Sequence, residues 1–253
     1  RDRALLSVVY SPTTNTLNSP DLSTYTPGGR FRASSFYYND TGLNTGFVTA
    51  VNGYETRTNG TLITPAEYLS GAFKASYDLS DNVKIWTQLF ASQVETNSTR
   101  EAYALSNTIA YGINDEFTIG NIARANPFVP TQIFSAASSS ISFRRRMTEV
   151  GPQEIYNRRR TLRGWVGAEG VVFGDWNWFL TYGYGKFEGY QSRNNGLNLS
   201  NVKNALNAER VGTDVRCRDA TARAEGCVAL DLFGLGSITD DMADYIRANV
   251  WYR

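Results

Sequence analysis

The chain contains no histidine, only two cysteines and seven prolines. Without His it lacks the usual general base, the usual member of a nucleophilic triad and the commonest metal-ligating imidazole. Two cysteines fall short of a standard zinc site. Enzyme readings therefore start without their usual groups: no catalytic residue, metal ligand or cofactor is assigned. No apolar stretch approaches the roughly 18 residues that a membrane-spanning helix needs, and the mean hydropathy is negative. With 25 basic against 24 acidic residues the net charge is +1, so no global field points to nucleic acid.

What the chain has is alternation. Aromatics make up 13% of it, with 15 Tyr and 22 Gly, which suits strands with aromatic girdles and Gly-rich turns as well as a soluble sandwich. Residues 66–96 read as a β-hairpin. Leu69, Gly71, Phe73, Ala75, Tyr77 and Leu79 share one side, and Tyr68, Ser70, Ala72, Lys74, Ser76 and Asp78 the other. After a three-residue turn at Ser80-Asp81-Asn82, Val83, Ile85, Thr87, Leu89 and Ala91 alternate with Lys84, Trp86, Gln88, Phe90 and Ser92. Each arm matches the roughly 9–11 residues of a tilted membrane strand. A polar and an apolar side alternating over that length is the dyad pattern of an outer-membrane barrel, invisible to a search for spanning helices.

A second hairpin repeats the pattern. Strands are predicted at 141–148 and 155–173, with Leu162, Gly164, Val166, Ala168, Gly170 and Val172 alternating against Arg163, Trp165, Gly167 and Glu169. A turn at Gly174-Asp175 leads to Trp176, Trp178, Leu180, Tyr182 and Tyr184, a stripe read as lipid-facing girdle, with Asn177, Phe179, Thr181, Gly183 and Gly185 opposite. Shorter strands are predicted at 4–10, 31–38 and 47–56, with a Pro/Gly/Ser/Thr loop over 15–30. Both hairpin turns are short, whereas 97–140 and 187–240 run on as long loops, the asymmetry of periplasmic turns and extracellular loops. The fold class is all-β: an antiparallel transmembrane β-barrel, with 1–253 forming part of a single barrel domain.

The segment Cys217-Arg218-Asp219, Glu225-Gly226-Cys227-Val228-Ala229-Leu230-Asp231-Leu232-Phe233-Gly234 and Gly236-Ser237-Ile238-Thr239 resembles a loop of large TonB-dependent receptors of proteobacteria. There a Cys pair precedes a Leu-Asn-Leu-Phe-Gly-like stretch and a short helix; here Asp231 stands for the more usual Asn and Ala229 for Pro. Asn126-Pro127-Phe128-Val129-Pro130 is similar to the family's Asn-Pro-Phe loop, Tyr77–Val83 to its periplasmic turn and Trp176-Asn177-Trp178 to a strand opening. The matches run in order over about 66–250. The resemblance implies a ligand-gated transporter of 22 strands around an N-terminal plug, far larger than this chain. Arg1-Asp2-Arg3 is not a signal peptide. An early-to-middle third of a barrel is therefore expected, with no plug domain in this chain.

Three constellations stand out. Cys217 and Cys227 enclose nine residues of a loop in an oxidising compartment and read as a disulfide, with redox chemistry as the alternative. Arg144-Arg145-Arg146 and Arg158-Arg159-Arg160, followed by Arg163, form the densest basic region. They suit an anionic ligand such as a carboxylate or catecholate siderophore, lipopolysaccharide phosphates, or a solvated strand extension balanced by Glu149 and Glu154. Thr239 before Asp240-Asp241 reads as a helix N-cap, and Asn201–Val211 as a second short helix with Val202, Ala205 and Leu206 on one side.

The leading expectation is TonB-driven import of a siderophore, cobalamin or oligosaccharide across the outer membrane of a Gram-negative bacterium. The partners are then outer-membrane lipid and lipopolysaccharide, the TonB system and a small-molecule ligand. The alternatives are a passive channel or adhesin-type barrel and, less favoured, a soluble β-sandwich carbohydrate-binding module.

Overall fold

A computed structural model describes residues 9–11, 16–18, 22–32, 35–56, 60–137 and 139–253. Strand accounts for 53% and helix for 13%, which places the chain in the β class, and its sheets are antiparallel. Among the described residues none of these sheets closes into a barrel. The chain divides into two compact units: 1–60, 99–153 and 194–249 form one, and 61–98, 154–193 and 250–253 the other.

The second unit is built on one five-stranded sheet. Its strand order is Arg247–Tyr252, Trp176–Leu197, Pro152–Val172, Val83–Ala102 and Ala66–Ser80. The first hairpin pairs Leu69 with Gln93, Gly71 with Ala91, Phe73 with Leu89, Ala75 with Thr87 and Tyr77 with Ile85. Its turn is tighter than the sequence suggests: the register shifts between Asp78 and Ser80, and Ser80 pairs with Val83 around Asp81-Asn82 alone. The second turn is Phe173-Gly174-Asp175, with Phe173 and Gly174 both in the left-handed region at φ 52° and 84°.

The alternation predicted for both hairpins is borne out in the pleat. On one face Leu69 is 73% exposed, and Phe73, Tyr77, Ile85, Leu89, Leu162, Val166, Leu180, Tyr182 and Tyr184 are also exposed. On the other face tryptophans lie over glycines. A Cβ on Gly167 would come within 2.4 Å of the Trp86 ring, and one on Gly183 within 2.7 Å of Trp165. The missing side chains let each indole lie down on the neighbouring strand. Oppositely directed side chains hydrogen-bond within that polar face, as Gln191 Nε2 donates to Asn157 Oδ1 at 2.6 Å.

The first unit holds a conventional core. A second five-stranded sheet runs Gly42–Thr45, Phe36–Asn39, Arg30–Phe31, Phe143–Arg146 and Ala104–Ser106. Phe31, Leu105, Phe143 and Met147 pack there with Val202, Leu230, Leu232 and Ile246. Helix Leu199–Leu206 buries Val202, Ala205 and Leu206, the face expected of it, and starts at an Asn198 cap that accepts from the Asn201 N–H at 3.2 Å. It stops short of the predicted Val211, since Ala208–Val211 is a strand paired with Asp214–Cys217. Helix Asp240–Ile246 is capped by Thr239, as its sequence predicts. Asn201 Nδ2 donates to the Tyr245 carbonyl at 2.8 Å and ties the two helices together.

Several boundaries differ from the sequence reading. The predicted strand over 47–56 contains the one-turn helix Thr49–Asn52, because Asn52 Oδ1 accepts from the Val48 N–H at 3.0 Å and closes the turn locally. The predicted strand 141–148 is only Phe143–Arg146, preceded by Ser140–Ile141 in another sheet. A turn follows, in which the Gly151 N–H donates to the Thr148 carbonyl at 3.1 Å with Gly151 at φ 103°. The loops over 97–140 and 187–240 are shorter than expected: strands continue to Ala102 and Leu197, and the remainder carries short strands and the helices Thr131–Ala136, Leu199–Leu206 and Ala220–Ala224. Of the strand predicted at 4–10 and the loop at 15–30, the described residues 9–11 and 16–18 form the strand pair Val9–Ser11 and Thr16–Asn18, and 22–29 are irregular up to the strand Arg30–Phe31; residues 4–8, 15 and 19–21 lie outside the described residues.

Gly167→Ala is expected to lower stability by about 1–3 kcal/mol, since the new methyl overlaps the Trp86 ring. Gly71→Ala, with nothing within 4 Å of the added carbon, is the matched control. Denaturation midpoints of the two variants in the same detergent check the difference. Equal midpoints would mean that the Trp86–Gly167 stack does not contribute.

Candidate functional site

Charge is arranged differently in the two units. In the first, the Arg144-Arg145-Arg146 run lies on the strand Phe143–Arg146, and its three side chains diverge. Arg145 is 0% exposed. It is ion-paired to Glu149 and donates to Ser237 Oγ at 2.9 Å, while Ser237 Oγ donates to the Asp231 carbonyl at 2.9 Å. Burial lowers the Arg145 guanidinium pKa, opposed by Glu149 and Asp231. Burial raises the Asp231 carboxyl, opposed by the Phe233 N–H and by Arg145. Asp231, which stands where the resembled motif has Asn, thus feels burial and the Arg145 charge in opposite directions.

Arg146 donates to the Ala102 carbonyl at 2.9 Å and to Ser23 Oγ at 3.1 Å, with Tyr25 and Tyr54 rings about its guanidinium. Arg144 is exposed and reaches Thr24 Oγ1 at 3.5 Å. Sequence reasoning did not single out Arg30, whose guanidinium lies 3.8 Å over the Phe47 ring and donates to the Thr24 carbonyl at 3.0 Å. Its pKa is lowered by burial and then by Arg144. Nothing in its local sequence marks it, because its partners lie on other segments.

Cys217 and Cys227 form a disulfide, with Cα atoms 6.2 Å apart. It closes a loop containing helix Ala220–Ala224, whose Asp219 cap accepts from the Ala222 N–H at 2.7 Å. Arg223 donates to the carbonyls of Cys217 and Arg218. Nearby, Asn126 of the Asn-Pro-Phe loop is buried. Its Nδ2 donates to the Leu206 carbonyl at 2.8 Å, and its Oδ1 accepts from the Phe128 N–H at 3.0 Å. Both motifs that carry the resemblance therefore hold loop structure together.

In the second unit the arginines of 158–160 are split by the pleat. Arg158 and Arg160 share the face of Leu162 and Val166; Arg159 shares the opposite face with Arg163 and Trp165. Arg158 lies 5.6 Å from the Tyr190 ring centroid, and Arg160 Nε donates to Gln93 Oε1 at 2.5 Å. Glu188 pairs with Lys186 at 2.9 Å and with Arg253 at 3.5 Å. A depression of about 300 Å³ is lined by Arg158, Arg160, Glu188, Tyr190, Trp251 and Arg253. Below this polar belt an open apolar groove of about 520 Å³ runs between Tyr77, Ile85, Val166, Leu180 and Tyr182. The stripe Trp176, Trp178, Leu180, Tyr182 and Tyr184 belongs to the same face. All but the half-buried Trp178 are exposed, and the Trp178 Nε1 would lie 3.0 Å from a Cβ on Gly170. The parity of the sequence marks Arg158 and Arg160; Lys186, Glu188 and Arg253 were missed because only the pairing of strands brings them to the same belt.

No family model, curated protein or solved structure matches the chain. The fold and the site therefore rest on their own geometry.

Arg145→Met is expected to destabilise the first unit by about 3–5 kcal/mol, because Glu149 loses its partner in a mostly buried position. Arg144→Gln, at an exposed position, is expected to stay within about 0.5 kcal/mol. Limited proteolysis of the folded protein, read at the 143–151 segment, checks the contrast. Equal protection in the two variants would remove the structural role of Arg145.

Proposed function

We propose that this chain is part of an outer-membrane transporter barrel that imports a scarce nutrient of the siderophore, cobalamin or oligosaccharide class with energy delivered through TonB. One observation carries the membrane part: a single-layer sheet whose apolar face is exposed along both hairpins while its polar face holds hydrogen-bonded side chains. Water-soluble proteins rarely leave so large an apolar patch uncovered. Ten residues separate Leu69 from Leu79, matching the roughly 25 Å apolar band of a tilted barrel strand. Trp176, Tyr182 and Tyr184 then serve as girdle residues on the lipid side. The unpaired strand edges meet further strands of the same barrel, since hydrocarbon does not tolerate open edges.

The transport part rests on the resemblance of the 217–239 and 126–130 segments to TonB-dependent receptors. A passive channel or adhesin-type barrel shares every strand feature and differs only in energy coupling. A soluble β-sandwich remains the alternative in which a second sheet, rather than lipid, covers the apolar face.

Single cysteines test the membrane reading in intact outer-membrane vesicles after Cys217→Ser and Cys227→Ser replacement. Val166→Cys and Leu180→Cys are expected to react with a lipophilic maleimide and resist a charged one, and Thr181→Cys to do the reverse. Equal reaction of position 180 with the charged reagent would end the membrane reading. Energy coupling is tested separately, by accumulation of ferric catecholate, ferric hydroxamate, cobalamin and maltooligosaccharides in cells with and without a protonophore. At least one is expected to accumulate only in energised cells; accumulation that ignores the protonophore supports the passive channel instead.

A further inference from the structure

We propose that the polar belt above the apolar face is a binding site for the phosphate groups of a membrane glycolipid, held by Arg158, Arg160 and Arg253 with the acyl chains along the groove beneath. The site rests on the reading of this face as lipid-facing. Three guanidinium groups meet one carboxylate, Glu188, in the depression beside Tyr190, leaving an excess of positive charge. Guanidinium groups donate to phosphate oxygens in bidentate fashion, and the Tyr190 ring beneath Arg158 restricts its plane.

Placement distinguishes this belt from the other basic cluster. Arg145 and Arg146 spend their donors on Glu149, Ser237, Ala102 and Ser23 inside their own unit. Arg159 points to the opposite face. Arg158 and Arg160 instead continue the row of Leu162, Gly164 and Val166, so a chain moving up this face passes from aliphatic to cationic at one step, between Leu162 and Arg160. Next door the face passes from the aromatic Tyr184 to the cationic Lys186. Arg160 also lines a second open groove of about 540 Å³ with Leu69, Ala91 and Leu162. One residue thus borders both the headgroup depression and an apolar track. Cations on a lipid-facing surface cost least at the interface, where their long stems lie on apolar surface and lipid phosphates neutralise them. Glu188, by pairing with Lys186 and Arg253, holds the belt in place without neutralising it.

The test uses the full-length protein purified from outer membranes and exchanged into phosphatidylcholine vesicles. Native mass spectrometry counts the retained lipopolysaccharide, supplied either with its lipid A phosphates or dephosphorylated. The wild type is expected to retain the phosphorylated form, and R158Q/R160Q/R253Q to lose at least about tenfold in retention, as removal of charge-assisted contacts implies. R159Q, on the other face, is expected to retain it. Heat-modifiable migration of each variant shows that its barrel has folded, which separates loss of the site from loss of the protein. Retention unaffected by the triple change overturns the proposal, as does equal retention of dephosphorylated glycolipid. Capture of inorganic phosphate with no preference for the lipid overturns it too. If the cysteine labelling places this face in water, the membrane reading itself has failed; if the face is in lipid but phosphate makes no difference, only the headgroup site has.

Discussion

The constraint on which the second unit depends is that a single-layer sheet satisfies its backbone but not its apolar side chains. Antiparallel pairing of Ala66–Ser80 with Val83–Ala102, and onward to Pro152–Val172 and Trp176–Leu197, consumes the interior N–H and C=O groups. The pleat then divides every strand between two media. Among the described residues nothing covers Leu180, at 70% exposure, or Tyr182 beside it. At roughly 25 cal/mol per Å² of apolar surface, leaving that face in water forfeits a favourable term of folding, and the lipid covering proposed above would supply it. The opposite face solves a different problem. Trp86 and Trp165 are too large to stand upright on a crowded polar face, and Gly167 and Gly183 supply floor space where a Cβ would collide.

The first unit shows what happens when the same chain must build an interior. Its loops are long enough to form a core around Phe31, Phe143 and Leu232, with Phe31 stacked on Phe233 at 4.5 Å. Cations that would be left on a surface elsewhere are enclosed here and given partners. Arg145 meets Glu149 and Ser237, Arg146 meets a carbonyl and a hydroxyl, and Arg30 lies on Phe47. A buried guanidinium with several fixed donors holds segments far apart in sequence in one geometry, since any displacement would leave charge unpaired. The Cys217–Cys227 bridge and the buried Asn126 do comparable work with less charge. Asn126 satisfies the Leu206 carbonyl at the end of a helix that would otherwise be left open.

Much of this was legible because alternation is a local property. Period-two patterning fixes which of Leu162, Arg163, Val166 and Gly167 share a face without knowledge of any partner, and the pleat keeps them there. The buried face of helix Leu199–Leu206 and the Thr239 cap were readable for the same reason, from residues within one or two turns. The end of that helix was not, because Ala208–Val211 leaves it to pair with Asp214–Cys217. What escaped depends on contacts distant in sequence. The placement of Arg30 on Phe47, the enclosure of Arg145 by Ser237, and the meeting of Lys186, Glu188 and Arg253 with Arg158 all need the registers of several strands at once. Residues 47–56 failed differently: their β-branched composition argues for a strand, but one Asn52 side chain accepting a backbone N–H offers a cheaper local closure.

The strand Ala66–Ser80 sets the terms for the rest. It lies at the edge of its sheet, is exposed along its whole length, and contains no proline. Its Lys74 lies on the polar face and leaves the apolar row from Leu69 to Leu79 unbroken. Water-soluble sheets protect such an edge with bulges, prolines or inward charges. Here the one register shift is at the turn, too far along to blunt the strand. A long, flat, apolar edge is a hazard in water and a requirement in a barrel, where the next strand must find it. The same absence of protection that would make this unit aggregate alone is what continued pairing within a closed barrel demands. On the proposed barrel reading the exposed face and the unguarded edge are two consequences of one design, in which both the covering layer and the neighbouring strand would be supplied from outside the sheet.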